Sequence, residues 1–202
     1  MNTYLKMKEM HPMASTEPDG IKIRPASKLD APGVLSIFDE CIAWFIEIHN
    51  LKQWGTEPWS NQPQRIVQIT EACSLPGAWV AENKDGSICA ALVLGDAMPY
   101  VPAVAEPEIY VRLLIASRRL SVRGIGRRLM AFADTQARLA GLKRLRVDCY
   151  GGGSGNLIRF YESCGYTRIA AFEVDGWSGQ LLGRVIDLKN DAGLSLLTPE
   201  IV

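Results

Sequence analysis

The stretch YVRLLIASRRLSVRGIGRRLM, residues 110–130, decides the fold of this chain of 202 residues. It begins inside a run from Glu108 to Ala116 whose branched and apolar side chains are typical of a β-strand. After a turn with two glycines, residues 124–140 repeat apolar side chains at helical spacing, and Gly141 is placed to end the helix. The next apolar run, Leu145 to Cys149, predicts another strand. A strand, a helix and a strand in this order predict a βαβ unit in the middle of the chain.

The turn inside this stretch concentrates positive charge. Six arginines and no acidic residue lie between Ile109 and Ala133, although Lys+Arg and Asp+Glu are both 22 in the whole chain. Gly124 and Gly126 let backbone N–H groups approach an anion closely, and the start of a helix adds N–H donors that no helical carbonyl accepts. The pattern fits a pyrophosphate site, and it equally fits a tight turn whose arginines cover a solvated helix face.

Spacing excludes two nucleotide-binding motifs at this turn. A Walker loop needs four residues between its glycines and a terminal Gly-Lys-Ser/Thr, which the turn lacks. A dinucleotide fingerprint needs a third glycine three residues after Gly126, where the chain has Leu129. The turn therefore belongs to neither nucleotide-binding fold.

The rest of the chain extends the βαβ unit into a larger sheet. Asp85-Gly86 between two apolar runs is a strong hairpin signal. Strands are predicted at 21–24, 78–81, 88–94, 108–116, 145–149, 166–174 and 181–188, and helices at 31–50, 66–73, 124–140 and 156–163. The order β, α, α, β, β, β, α, β, α, β, β predicts an α/β sheet of about seven strands.

Composition limits where the protein works and with what. The formal net charge is zero, which argues against a general nucleic-acid or membrane-surface binder. With no apolar run long enough to span a bilayer and no secretory signal, a cytoplasmic protein is expected. The five cysteines form no Cys-x-x-Cys pair, which predicts buried reduced thiols and no metal site. Residues 20–190 are predicted as the domain, with 1–19 a disordered tail or expression remnant and 191–202 a C-terminal tail.

Two motifs resemble those of the GNAT N-acetyltransferase superfamily. The turn from Val122 to Met130 is similar to the family's Gln/Arg-x-x-Gly-x-Gly/Ala loop, which binds the pyrophosphate of acetyl-CoA. The stretch Arg159-Phe-Tyr-Glu-Ser-Cys-Gly-Tyr166 resembles the family's late helix and turn. The two motifs stand in the family's order and at a similar distance, and the resemblance covers about residues 21–189.

The resemblance implies a fold and a set of site residues. The fold is a mixed, mostly antiparallel sheet of about seven strands, with a central βαβ unit and a V-shaped split between strands 4 and 5 that takes the pantetheine arm. Tyr161 falls on the tyrosine that protonates the departing CoA thiolate in many members. The residues that the resemblance assigns to acetyl-CoA, the co-substrate, are Leu114, Ile115, Ala116, Val122, Arg123, Gly124, Ile125, Gly126, Arg127 and Ser154.

The chain departs from the family pattern at two places. Ser121 stands where the loop usually has Gln or Arg, so Arg118 or Arg119 is a candidate to supply that contact. Ser154 lies where many members have an asparagine seven residues before the tyrosine, while Asn156 lies only five before it. Residues 151–155, which are glycines and a serine, are interpreted as a βα loop near the cofactor.

The residues around the expected acceptor leave alternatives open. Glu106 and Glu108 are candidates for the general base, and Glu108 is taken as the catalytic one, although a surface position is expected for at least one of them. Trp54 and Trp59 fit either an aromatic wall of the acceptor pocket or the core of a long loop. No motif identifies the acceptor.

The expected function is an acetyl-CoA-dependent N-acetyltransferase acting on a primary amine of a small molecule or peptide by direct attack. The alternative is a non-catalytic acyl-CoA-binding module that senses or regulates. A homodimer through the closing strands is compatible with either function.

Overall fold

The predicted order of strands and helices is the order in the structure. The computed structural model describes residues 15–16, 20–119 and 123–188. The elements are β1 (Lys22–Pro25), α1 (Ala31–Glu47), α2 (Pro63–Cys73), β2 (Ala78–Glu82), β3 (Ile88–Gly95), β4 (Glu108–Ala116), α3 (Ile125–Leu139), β5 (Arg144–Tyr150), α4 (Asn156–Ser163), β6 (Thr167–Val174) and β7 (Trp177–Val185).

In the described part of the chain these seven strands form one sheet in the spatial order β1-β2-β3-β4-β5-β7-β6. A two-residue strand, Ser15–Thr16, adds to the outer edge of β1. β4 and β5 are parallel, because α3 crosses over between them, and every other neighbouring pair is antiparallel. The predicted mixed, mostly antiparallel sheet with a central βαβ unit is confirmed.

Two tight turns set the register of the hairpins. The predicted hairpin of β2 and β3 turns through Gly86, whose φ of +77° is a conformation that glycine adopts without strain. β6 and β7 are joined by Asp175 and Gly176, with φ angles of +51° and +77°, as a type I′ turn requires. Because this second turn is so short, β7 begins at Trp177 and not at the predicted residue 181.

Helices cover both faces of the sheet. α3 and α4 pack Ile125, Leu129 and Ile158 against one face, which includes Val111 and Val147. α1 and α2 cover the opposite face and pack against the other side of the same central strands. The central strands are therefore buried on both faces, which explains the nearly continuous apolar runs in their sequence.

The domain bounds of 20–190 stay a prediction; the structure describes residues 20–119 and 123–188 of that range. The tails expected at 1–19 and 191–202 lie outside the described residues, except that Ser15–Thr16 pair with β1. Among the described residues, no helix is both long enough and apolar enough to cross a membrane.

Candidate active site

The candidate active site lies where β4 and β5 separate. The two strands pair from Glu108 and Arg144 as far as Val111 and Val147. Beyond these two valines β4 continues to Ala116, and β5 continues to Tyr150 while paired only with β7. The sheet is thus closed at one end of this strand pair and open at the other, and the predicted V-shaped split is confirmed.

A bulge in β4 coincides with the start of the split. Val93 of β3 pairs with Leu113, while the next residue, Leu94, pairs with Val111. Arg112 is therefore an extra residue in β4, immediately after the last position that pairs with β5. A bulge bends its strand and increases the local twist. The bulge therefore stands at the position where the pairing of β4 with β5 ends.

The split opens into a cavity of about 590 Å³. Its walls come from the separated ends of β4 and β5, from α1 and α2, from the loop between them and from α4. The residues that matter below are Phe38, Trp44, Trp54, Trp59, Met98, Arg112, Leu114, Ile115, Ala116, Asp148, Cys149 and Tyr161. The cavity is large enough for a small molecule together with the end of a cofactor arm.

Three residues that the resemblance assigned to the cofactor lie on this wall. Leu114, Ile115 and Ala116 line the cavity and pair with β3 on one edge. Their other edge has no partner strand among the described residues, because the pairing with β5 stops at Val111. Main-chain N–H and C=O groups on that edge can therefore bond to an extended amide chain inserted into the split.

Tyr161 also lies on the cavity wall, in α4 on the face of the sheet that α3 covers. Its side chain is 4% exposed, and its ring packs edge-on against Phe160 and Tyr166. Burial raises the pKa of its hydroxyl well above the usual value, and the charge of Asp148 adds to the rise. The hydroxyl therefore keeps its proton at neutral pH and can donate it.

The glycine turn forms the start of α3. Gly124 caps the helix with a φ of +88°, and a Cβ built on it would meet no atom within 4 Å. Gly126 lies against Phe160, where a Cβ would be 3.5 Å from the ring. Ile125 is buried, so a ligand at this turn would contact its main chain only. Arg123 is exposed beside the turn, and Val122 lies outside the described residues together with Ser121.

Of the predicted cofactor residues that the structure describes, only Leu114, Ile115 and Ala116 line the cavity, and Arg127, Ser154 and residues 123–126 of the turn do not. Arg127 donates one hydrogen bond to the carbonyl of Ser163 at 2.6 Å and another to its hydroxyl at 2.8 Å. These bonds connect α3 to the end of α4. Ser154 is exposed in the loop before α4 and does not line the cavity.

Arg118 and Arg119, the candidates to replace the missing Gln or Arg, contact other side chains of this protein. The guanidinium of Arg118 lies 3.4 Å from the centre of the Trp44 ring, and both residues line the cavity. Arg119 is exposed, 3.9 Å from a carboxylate oxygen of Glu40. In this arrangement Arg118 covers an aromatic wall of the cavity.

Glu108, the predicted base, lies at the closed end of the β4–β5 pair and not on the cavity wall. Its carboxylate accepts two hydrogen bonds of 2.6 Å from the guanidinium of Arg146, whose side chain is only 3% exposed. The structure therefore gives Glu108 an ion-pairing role. Glu106 is the expected surface carboxylate, with a side chain 71% exposed and paired with Arg144 at 2.6 Å.

The two tryptophans belong to the core and also line the cavity; whether the cavity takes the acceptor stays a prediction. Trp59 is 6% exposed and stacks on Phe38 with ring centres 4.1 Å apart, as a core residue would. Trp54 packs against Phe38, Phe45 and Trp59. All four rings also line the cavity, so one aromatic cluster is both core and wall.

Asp148 is a cavity residue that the sequence analysis did not single out. It directly follows Val147, the last residue of β5 that pairs with β4. Its carboxylate accepts hydrogen bonds from the hydroxyls of Tyr110 and Tyr100, the latter at 3.2 Å. Burial raises its pKa above the usual carboxyl value, although both hydroxyls act in the opposite direction. The available signal was an acidic residue between the apolar Val147 and Cys149 of a predicted central strand.

The cysteine thiols are buried in the structure. All five cysteines are free and buried, as expected. Cys149 lines the cavity, but burial and the charge of Asp148 raise its pKa to about 12, so it stays a neutral thiol. In the described segments, no group of His, Cys, Asp and Glu side chains is arranged to hold a metal ion.

Comparison with known proteins shows one family. The family profile described as the acetyltransferase (GNAT) family matches residues 39–166. A protein of Bacillus subtilis (strain 168), described as the uncharacterized N-acetyltransferase YesJ, is 27% identical over 161 residues, covering 76% of this chain and 85% of that protein.

Solved structures share the fold. The GNAT domain of S. lividans PAT superimposes with a TM-score of 0.62 at 17% identity, covering 88% of this chain and 100% of that one. A ribosomal-protein-alanine N-acetyltransferase from Brucella melitensis gives a TM-score of 0.55 at 19% identity, covering 81% and 99%. At these identities the similarity is one of fold.

Proposed function

The chain belongs to the acetyltransferase (GNAT) family and is an N-acetyltransferase. On this premise we propose that it uses acetyl-CoA to acetylate a primary amine of a small molecule or peptide, by direct attack of the amine nitrogen on the thioester. The observation that carries the proposal is the split itself: β4 and β5 separate after Val111 and Val147, and the cavity between them has Tyr161 on its wall.

The described residues fit acetyl-CoA at two places. In the split, the free main-chain edge of Leu114, Ile115 and Ala116 would hold the pantetheine amides. At the start of α3, the open space around Gly124 leaves room for the pyrophosphate close to the backbone N–H groups of the helix start. When bound, the co-substrate supplies an acetyl group activated as a thioester.

Tyr161 is the group we assign to the leaving thiolate. Because burial keeps its hydroxyl protonated, it can donate a hydrogen bond to the sulfur as negative charge develops there. Its ring is held by Phe160 and Tyr166, which fixes the direction of the hydroxyl. Arg127, by joining α3 to Ser163, fixes α4 against the helix that starts at the glycine turn.

A thiol-release assay separates this enzyme from a non-catalytic acyl-CoA sensor. The protein is incubated with acetyl-CoA and a panel of primary amines, and free CoA thiol is measured, while calorimetry measures CoA binding in the same buffer. An enzyme binds CoA and releases thiol faster with at least one amine than without any. CoA binding without amine-dependent thiol release over a wide panel would contradict the proposal. It would favour the alternative of a non-catalytic acyl-CoA sensor.

A further inference from the structure

The carboxylate of Asp148 is held in one place by neutral donors. Tyr110 donates to one of its oxygens and Tyr100 to the other. Tyr110 is fully buried, and it lies on β4 at the level where the two strands still pair. A carboxylate has about four lone-pair sites, and these two hydroxyls occupy two of them. The remaining acceptor capacity lies on the wall of the cavity.

Nothing positive neutralises this carboxylate within the part of the chain that the structure describes. Asp148 forms no salt bridge there, whereas Glu108 at the other end of the strand pair has Arg146. Arg112 and Arg118 line the same cavity, but both are exposed, and the guanidinium of Arg118 lies on the ring of Trp44. A half-buried carboxylate without a cation favours a cationic ligand.

The cavity wall beyond Asp148 is apolar and aromatic. Trp54, Trp59 and Phe38 form the cluster on the α1 side, and Met98 lines the wall from the loop after β3. An apolar group would contact the faces of these rings and the flexible thioether of Met98. A polar group would find few hydrogen-bond partners among these side chains. Glu71, the other carboxylate on the cavity wall, is exposed, whereas Asp148 is half-buried. The cavity therefore combines a half-buried carboxylate with an aromatic chamber.

We infer that Asp148 binds the amino group of the acceptor and accepts its proton, and that the acceptor is a primary amine with an apolar body about the size of an aromatic ring. This inference rests on the proposed function. It names Asp148 as the general base, a role that Glu108 does not reach from the closed end of the strand pair, and it names the class of substrate.

The proton balance is complete with groups on the cavity wall. The ammonium transfers one proton to the carboxylate of Asp148, and the neutral nitrogen forms the C–N bond as the C–S bond breaks. Tyr161 gives its hydroxyl proton to the departing thiolate. The second proton that the nitrogen loses passes through water to the Tyr161 oxygen, and Asp148 releases its proton to solvent, so that one proton is released per turnover.

The test begins with binding, because binding does not require turnover. 2-Phenylethylamine is titrated into the wild-type protein saturated with CoA, and 2-phenylethanol, which has the same ring and no charge, is titrated in parallel. We expect the amine to bind at least about tenfold more tightly than the alcohol, because an ion pair in a partly buried site contributes more than a neutral hydrogen bond. Equal affinities would overturn the inference without any variant.

The variant Asp148→Asn keeps the size of the side chain and can still accept from Tyr110. We expect it to bind CoA as the wild type does, to bind 2-phenylethylamine at least about tenfold more weakly, and to lose about 100-fold in kcat, as removal of a general base does. The control is Glu173→Gln, an exposed carboxylate-to-amide change on β6 that should alter none of these values. Unchanged amine binding and kcat in Asp148→Asn would overturn the inference.

The chamber is tested with ethylamine, which has the same charge and no ring. We expect kcat/KM for 2-phenylethylamine to exceed that for ethylamine by about 10- to 100-fold, the range that burial of a large apolar side chain gives. Equal values would overturn the substrate class. Amine binding that depends on Asp148, without thiol release from any amine, would instead contradict the proposed acetyl transfer and leave the binding role of Asp148 standing.

Discussion

Two carboxylates on neighbouring parallel strands have opposite surroundings. Glu108, at the closed end of the β4–β5 pair, meets the guanidinium of Arg146 with two hydrogen bonds of 2.6 Å and is shut off from the cavity. Asp148, one residue past the last paired position, lines the cavity, and its side-chain partners in the described residues are the neutral hydroxyls of Tyr110 and Tyr100. The same chemical group is thus neutralised at one end and left with its charge at the other.

This difference follows from the separation of the two strands, because paired strands bring partners to each other's side chains and separated strands do not. Where β4 and β5 pair, side chains across the ladder satisfy each other, and an arginine can lie beside its carboxylate. Where the strands separate, neither the backbone edge of Leu114–Ala116 nor the carboxylate of Asp148 has a full set of partners in the described residues. We therefore assign stability to the closed end and reaction to the open end.

The largest effect we expect is on stability, from Glu108→Gln. The side chain of Arg146 is only 3% exposed, and the substitution leaves its buried guanidinium without the carboxylate that it pairs with. Removing one partner of a buried ion pair costs about 3–5 kcal/mol, so urea denaturation should show a loss of this size in the free energy of unfolding. CoA affinity of the folded protein should stay the same.

The matched control is Glu106→Gln, which removes the carboxylate of the neighbouring exposed pair with Arg144. An exposed pair contributes little to stability because water screens its charges, so this variant should be nearly as stable as the wild type. If Glu108→Gln were as stable as Glu106→Gln and lacked acetyl transfer, Glu108 would belong to the reaction and the assignment of the two ends would be wrong.

The next effect is on the reaction rate at the open end, from Tyr161→Phe. Loss of a general acid lowers kcat by about 100-fold, while CoA affinity should not change because the hydroxyl interacts mainly with the charge that develops on the sulfur. The control is Tyr166→Phe, which removes another buried tyrosine hydroxyl, one without a hydrogen-bond partner among the described residues and away from the cavity wall. Full turnover in Tyr161→Phe, or an equal loss in both variants, would reduce Tyr161 to a packing residue.

At the open end of the β4–β5 pair, the sequence predicts best those features of the candidate site that the main chain provides. The βαβ unit, the two glycines of the turn and the order of all strands follow from local patterns of apolar residues and turn residues. Leu114 to Ala116 reach the cavity because their positions on β4 follow from that order. Tyr161 was found through the resemblance of its motif, and the structure brings it to the same cavity.

Side-chain partners distant in sequence could not be predicted in this way. Glu108 was expected to be catalytic, but its contact with Arg146 is fixed only when β4 and β5 align. Arg127 was expected at the pyrophosphate, but α4 offers it a carbonyl and a hydroxyl on Ser163. Asp148 was not singled out, because its contacts with Tyr100 and Tyr110 are fixed only when β4, the loop before it and β5 come together.

A smaller effect is expected on cofactor affinity, from Gly124→Val. A β-branched side chain here would occupy the open space where the backbone is accessible, so CoA affinity measured by calorimetry should fall about tenfold or more. Gly86→Val is the control, since Gly86 has a similar φ of +77°, an equally open surrounding and a place in a distant hairpin. Equal CoA affinity in the two folded variants would show that the turn at Gly124 does not bind the cofactor.

The smallest effect concerns stability and pH at Asp148. Burial raises the pKa of this carboxyl in the folded state, so the folded protein holds the proton more tightly than the unfolded chain does. That contribution to stability is present below the ordinary carboxyl pKa and is lost as the pH rises through the raised pKa. Four groups interact electrostatically with the Asp148 carboxylate: the hydroxyls of Tyr100, Tyr110 and Tyr161 and the thiol of Cys149. The charge of Arg112 acts in turn on Tyr100.

Asp148→Asn has no such proton to lose. Relative to this variant, the wild type should therefore become less stable in urea denaturation as the pH rises over the range from the ordinary carboxyl pKa through the raised pKa of Asp148. A difference in unfolding free energy that stays constant over this range would show that the carboxyl at the open end is as well satisfied as the one at the closed end.

Amide hydrogen exchange tests most directly the claim that the open end of the β4–β5 pair takes the cofactor. Exchange is followed with and without saturating CoA, in peptides that cover the two ends of β4 separately. We predict slower exchange in Leu114–Ala116 and at the start of α3 around Gly124, and no change in Glu108–Val111, where the strands are already paired. Protection that is equal at both ends of β4, or absent from Leu114–Ala116 while CoA is bound, would contradict the account.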